Sequence, residues 1–215
     1  MEEKEPVKRK AGRPRRGEAK PDMRQSLIDA AIEILKTEGA DQVTVRNVCE
    51  RAGASVGTYY HYFKNKDDLL SFFVTETAYG EISLAAPFTD LPGRMVELWR
   101  YLTDLYQSLG PDFTRSYYNC DNRAISAYRT AEGDRFQADS ILERSRLELE
   151  QAKAGGYLIP EADPFTVSAD LCDIVKGCIF EWCLCRGDMP VDAAMKRIMT
   201  NYMIPLCLNQ KPTEK

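Results

Sequence analysis

Apolar runs of the roughly 20 residues needed to cross a bilayer are missing from this 215-residue chain. The opening stretch, "MEEKEPVKRKAGRPRRGEAK", lacks the apolar centre of a secretory signal. Both absences predict a cytoplasmic protein with no membrane partner. Histidine occurs once, as His61, and there is no Gly-rich phosphate loop, metal-ligand spacing or nucleophile motif. An enzyme, a cofactor and a metal centre are therefore not expected. Strand-like alternation never extends beyond a few residues and no internal repeat is found, which leaves an all-α fold. Cysteine numbers seven, odd and irregularly spaced, which fits a reducing compartment better than a disulfide framework.

Charge is present but unevenly placed. Residues 1–66 hold 14 Lys and Arg against 10 Asp and Glu, whereas residues 67–215 hold 15 against 23. A basic head on an acidic body suggests that the head alone meets a polyanion, most simply nucleic acid.

Residues 1–22 are rich in charge, Pro and Gly and read as a flexible basic arm. Asp22 is placed to cap a first helix, with Gln25 as its reciprocal partner. Leu27, Ala31, Ile34 and Leu35 then share a face, and Gly39 is placed to end the helix. Thr44 caps a second helix carrying Val45, Val48, Cys49 and Ala52. Gly53 allows a tight turn, Ser55 caps the short element "VGTYYHYF", and Asn65 caps a helix with Asp67 and Asp68 in its first turn. Three short helices, the last two joined by a Gly-containing turn, outline a helix-turn-helix unit.

The remainder also reads as helix. "GRMVELWRYLTDLYQSLG" aligns Met95, Leu98, Leu102, Leu105 and Leu109, and "DRFQADSILERSRLELEQAKAGG" reads as one long amphipathic helix. Gly80 and "APFTDLPG" read as a loose joint before the first of these. Helices 164–186 and 191–209 are the most apolar, and residues 210–215 read as a disordered tail. Val167, Leu171, Ile174, Cys178 and Trp182 form one stripe, with Cys172, Val175, Ile179 and Cys183 as a second. Together they suggest burial against both the chain's own body and a partner.

Residues 59–63 place three tyrosines, a histidine and a phenylalanine in succession. Tyr59 and Phe63, four apart, should face inward with Val56 on the same side. Thr58, Tyr60, His61 and Tyr62 then point elsewhere, with tips suited to phosphates and base edges. Gly57 clears space for close backbone approach, and Lys64 and Lys66 add phosphate neutralisation. The plainer reading is a three-helix core with surplus rings, and a lone histidine such as His61 is often idle.

The stretch "TVRNVCERAGASVGTYYHYFKNKDDLL", preceded by "LIDAAIEILKTEGADQV", resembles the N-terminal DNA-binding domain of the TetR family of transcriptional regulators. The resemblance runs from about Arg24 to Leu70, and beyond it only a helical outline is shared. It implies a homodimer on a palindromic operator in double-stranded DNA, usually a repressor released by a small molecule. By position, Arg46 is similar to a base-contacting arginine, and Val56, Gly57 and Thr58 to residues that enter the major groove. Tyr60 is similar to a phosphate-contacting tyrosine, His61 to a bulky groove-facing residue, and Thr44 and Lys66 to phosphate contacts. Val56 departs from the polar or basic residue many members carry there.

The expected organisation is residues 23–70 for DNA reading, with Ser55 and Lys64 included in the contact surface, and residues 71–209 for effector binding and dimerisation. Helices 164–186 and 191–209 are the expected dimer contacts. In the arm, Arg13 and Arg15 flank an AT-hook-like Gly-Arg-Pro-Arg segment, which is either a minor-groove insert or a plain basic tail. Trp99, Tyr106, Tyr117, Tyr118, Phe136 and Trp182 are candidates for a pocket holding a small apolar or aromatic effector, or else ordinary core. Cys172, Cys178, Cys183 and Cys185 read as small buried hydrophobes rather than a thiolate site. A competing function is an architectural or nucleoid DNA-binding protein without an effector, which would gain little from so large an acidic body.

Overall fold

A computed structural model describes residues 22–75, 79, 81–118, 136 and 138–208. Arg13, Arg15 and the tail from 210 lie outside the described residues, as does Gly80. The described helices are α1 (Met23–Glu38), α2 (Val45–Ala52), α3 (Val56–Tyr62), α4 (Lys66–Thr75), α5 (Leu91–Leu109), α6 (Pro111–Tyr117), α7 (Ile141–Ala154), α8 (Pro164–Leu184) and α9 (Val191–Met203). Among the described residues the only β pairing is one isolated antiparallel bridge between Leu158 and Cys207. The fold is all-α, and no described helix is long and apolar enough to cross a membrane.

The head is assembled from local signals. Asp22 accepts the Arg24 N–H at 3.0 Å and so caps α1. Gln25 does not reciprocate, because its amide donates to Asp29 one turn on at 2.9 Å, an i, i+4 partner on the same exposed face. Leu27, Ala31, Ile34 and Leu35 are buried, as are Val48 and Cys49 of α2, and the two helices pack together. Thr44 and Ser55 cap α2 and α3 by accepting from Asn47 and Thr58. Between them Gly53 sits at φ 64°, a left-handed turn that a β-carbon would strain.

The body is a bundle in which α5 packs against α6, α7, α8 and α9. Its buried face differs from the expected leucine row. Met95, Leu98 and Leu102 are buried, but Leu105 and Leu109 are half-buried, and Trp99, Thr103 and Tyr106 are enclosed instead. A helix covered from several sides buries more than one stripe. Thr103 is tied to α9 through Asp192 at 3.0 Å.

The expected long helix from 134 begins only at Ile141, where Ser140 caps α7 by accepting the Glu143 N–H. Just before it Asp139 lies at φ 63°, which no helix continues through. On α8 both expected stripes are consumed within the chain: Val167, Leu171, Cys178 and Trp182 are buried, as are Cys172, Val175, Ile179 and Cys183. Ile174 alone is half-buried. A third face, with Gly177, Phe180 and Leu184, remains open.

Candidate nucleic-acid interface

The aromatic run divides by helical phase. Tyr59 is 0% exposed and Phe63 3%, their rings 5.7 Å apart, while Tyr60 is 56% exposed. The Tyr59 hydroxyl donates to the Asn65 carbonyl at 3.0 Å, joining α3 to the start of α4. Burial pushes that hydroxyl well above the ordinary tyrosine range, so it stays protonated and donating. The Cys49 thiol points at the Ser55 carbonyl at 3.6 Å and closes the turn from the other side; burial raises its pKa also.

Val56 is the exception to the inward set, with 49% of its surface exposed. It is the first residue of α3, directly after the Ser55 cap. Arg46, Gly57, Tyr60, His61, Tyr62 and Lys64 are exposed as well. His61 and Tyr62 meet edge to face with ring centroids 4.9 Å apart. Tyr62 belongs with this surface although no family position pointed to it; its place in the ring run was the available signal.

Several polar groups on this surface already have work inside the head. The Ser55 hydroxyl caps α3 and also meets the Thr58 hydroxyl at 2.8 Å. Lys66 is half-buried and donates from Nζ to the Ala40 carbonyl at 3.1 Å, which leaves two of its three donors. Arg51 is held by Glu33 at 2.7 Å and by Glu38, so this cation ties α2 to α1. Arg46 and Lys64 have no ion-pair partner among the described residues.

The candidate pocket residues separate into different places. Tyr106, Tyr117 and Tyr118 come together: the Tyr106 hydroxyl donates to Tyr118 at 2.8 Å, and Tyr117 meets both rings. Burial raises the pKa of the Tyr106 and Tyr118 hydroxyls far above the usual tyrosine value, keeping them neutral. Trp99 is 0% exposed, and its indole N–H has no hydrogen-bond partner among the described residues. Trp182 is not part of the tyrosine group; its indole donates to the Gly187 carbonyl at 3.0 Å and closes the end of α8. Phe136 is also elsewhere, stacked at 4.0 Å on Phe165, which is 49% exposed.

Cys172, Cys178 and Cys183 are buried and Cys185 is exposed. Burial raises the thiol pKa of Cys178 and Cys183. Among the described residues no group of three or more His, Cys, Asp or Glu is placed to hold a metal ion.

Residues 27–71, which hold most of α1, all of α2 and α3 and the start of α4, match the family described as bacterial regulatory proteins, tetR family. A fatty acid metabolism regulator protein of Bacillus subtilis (strain 168) is 46% identical over 44 residues, covering 20% of this chain and 23% of that protein. The chain therefore spans about a quarter of the curated relative it matches. Two solved structures share the fold over most of the length. A TetR transcriptional regulator from Agrobacterium tumefaciens superposes with TM-score 0.60 at 17% identity, covering 89% of this chain and 97% of that one. The SmeT–triclosan complex gives 0.58 at 19%, covering 90% and 99%. The helix-turn-helix head, residues 27–71, thus matches the tetR family in sequence, and the chain shares its fold over most of its length with solved TetR regulators.

Proposed function

We propose that this chain is a cytoplasmic, homodimeric repressor that binds a palindromic operator and is released by a small apolar or aromatic effector. The observation that carries the DNA reading is that Val56, Gly57, Tyr60 and His61 of α3 stand exposed, as do Arg46 and Lys64. In this reading residues 23–70 read DNA and residues 71–209 sense and dimerise. Arg46, Val56, Gly57, Thr58 and His61 meet base edges in the major groove, while Thr44, Tyr60, Lys64 and Lys66 contact phosphates. The arm, with Arg13 and Arg15, adds minor-groove or counterion-release affinity.

Dimerisation is supported by apolar groups left uncovered on α8 and α9. Phe180 is 58% exposed, Leu184 62% and Ile198 36%, and a β-carbon at Gly177 would meet nothing within 4 Å. Two helices from each subunit make a four-helix contact with two-fold symmetry. Effector binding is supported by the neutral tyrosine group of Tyr106, Tyr117 and Tyr118 and by the unpartnered Trp99 N–H, which a ligand acceptor could satisfy. One structural neighbour was solved with triclosan, a small aromatic molecule bound to that protein.

The test is selection of fragments from the host genome by the purified full-length chain, followed by sequencing. A shared palindrome is the expected result, and enrichment without any common motif would favour an architectural role. Native mass spectrometry of the same preparation, searched for a retained small molecule, tests the effector half.

A further inference from the structure

Between α4 and α5 the backbone from Ile82 to Phe88 links head to body, and it is not a loose joint. The Tyr79 N–H donates to the Asp139 carbonyl at 3.0 Å, just ahead of α7. On α7, Arg144 Nη2 donates to the Ile82 carbonyl at 3.0 Å. On α5, Arg94 Nη1 donates to the Ala86 carbonyl at 2.5 Å, and its guanidinium lies 4.4 Å from the centre of the Phe88 ring. One turn on, Glu97 accepts the Ala85 N–H with Oε1 and the Ala86 N–H with Oε2, both at 2.8 Å.

The two arginines converge on one carboxylate. Glu148 Oε2 meets Arg94 Nε and Oε1 meets Arg144 Nη2, each at 2.7 Å, with Glu148 only 3% exposed. Burying such a group is costly, and a well-packed apolar replacement is often as stable or more so. Stability alone therefore does not account for it. What two planar guanidinium forks on a shared carboxylate do impose is direction, since each fork aims its remaining N–H groups at fixed angles. Here those groups hold the linking backbone.

Among the described residues the head meets the body at few other places. The residues after α1 and part of α4 touch α6, and beside them lies a cleft of about 330 Å³ edged by Glu38, Asp41, Asp112 and Arg115. By those contacts alone the head could swivel across the gap.

We infer that the strap of Ile82–Phe88 sets the angle of the head on the body, and that Glu97 and Glu148 are positioning residues deciding which half-site spacing the dimer accepts. This rests on the dimeric DNA-binding reading above. Reading helices must sit about 34–36 Å apart to enter successive major grooves. A stiff strap holds one such separation, whereas a slack one lets the heads follow a displaced half-site.

The experiment measures binding of the full-length chain to its selected palindrome and to versions with a single base pair added or removed at the centre. Wild type should lose affinity steeply on the altered spacers. Glu97→Gln replaces one acceptor oxygen with an N–H donor facing a backbone N–H, and should shrink that spacer penalty by about tenfold, within the usual range of coupling between sites. Its Ala85 and Ala86 amides should exchange hydrogen faster, and its salt dependence should not change. Glu150→Gln, on α7 outside the strap, should keep the wild-type penalty. Glu148→Gln is the harsher variant and can prevent folding, because it strands two arginines; the test does not depend on it. Merely destabilised protein would weaken all spacers alike. A wild-type spacer penalty in Glu97→Gln overturns the inference, whether or not the amides exchange faster. If wild type selects no palindrome at all, the dimeric DNA-binding reading fails and takes the strap with it.

Discussion

Tyr59 and Tyr60 are adjacent in sequence and opposite in environment: their rings meet at 82° with centroids 5.6 Å apart, one wholly buried and the other 56% exposed. One ring thus belongs to the core and its neighbour to the surface. Tyr59→Ala should cost about 3–5 kcal/mol, as large-to-small aromatic substitutions in cores do. Tyr60→Ala should leave the melting temperature near wild type and weaken operator binding. Thermal unfolding and fluorescence anisotropy on the same two proteins check the division, and equal melting temperatures would refute it.

Arg46 and Lys64 should differ in kind. Arg46→Ala should lose roughly 1–3 kcal/mol and relax preference at one base pair per half-site. Lys64→Ala should weaken all sequences alike and reduce the salt slope by about one. Lys66→Ala should do both this and lower stability by about 1 kcal/mol, the usual net value of one hydrogen bond, because its ammonium also holds the Ala40 carbonyl. Binding across an operator-variant set at several salt concentrations separates the three.

Gly177→Arg should convert dimers to monomers, because it places a long cation on the open face of α8 beside Phe180 and Leu184. Sedimentation at micromolar concentration reads the change directly. The monomer should fold normally, since the site has no neighbour to clash with. It should also bind a full palindrome poorly, each head reaching only one half-site. A variant that stays dimeric would move the interface elsewhere.

Trp99 calls for a gentler substitution than alanine. Fully enclosed, its truncation should cost about 3–5 kcal/mol and compromise folding before any ligand response is measured. Trp99→Phe keeps a ring and removes only the N–H that lacks a partner. It should leave ligand-free operator binding within a few-fold of wild type and reduce retention of any co-purifying molecule in native mass spectrometry. Unchanged retention would assign Trp99 to the scaffold alone.

Cys178 and Cys183 should resist alkylation at neutral pH in the folded protein and react on unfolding. Burial both shields these thiols and raises their pKa, so little thiolate forms below the ordinary cysteine range. Peptide mapping after brief iodoacetamide treatment reads each site, and rapid native labelling of either would contradict the packing on α8.

The sequence by itself determined the head. Asp22, Thr44, Ser55 and Asn65 each act on an N–H two or three residues away, so the starts of the first four helices were legible from short windows. The inward turn of Tyr59 and Phe63 follows from their four-residue spacing in the same way. Tertiary structure decided what those windows cannot contain. Lys66 finds its acceptor 26 residues back, Arg94 finds Glu148 54 residues on, and Arg144 reaches back 62 residues to Ile82. The stripes on α8 were visible, but not that the chain itself covers both and leaves Gly177, Phe180 and Leu184 outside. An apolar pattern fixes which side of a helix avoids water, a local property of side-chain phase. What covers that side depends on how distant segments pack, and no local pattern encodes it.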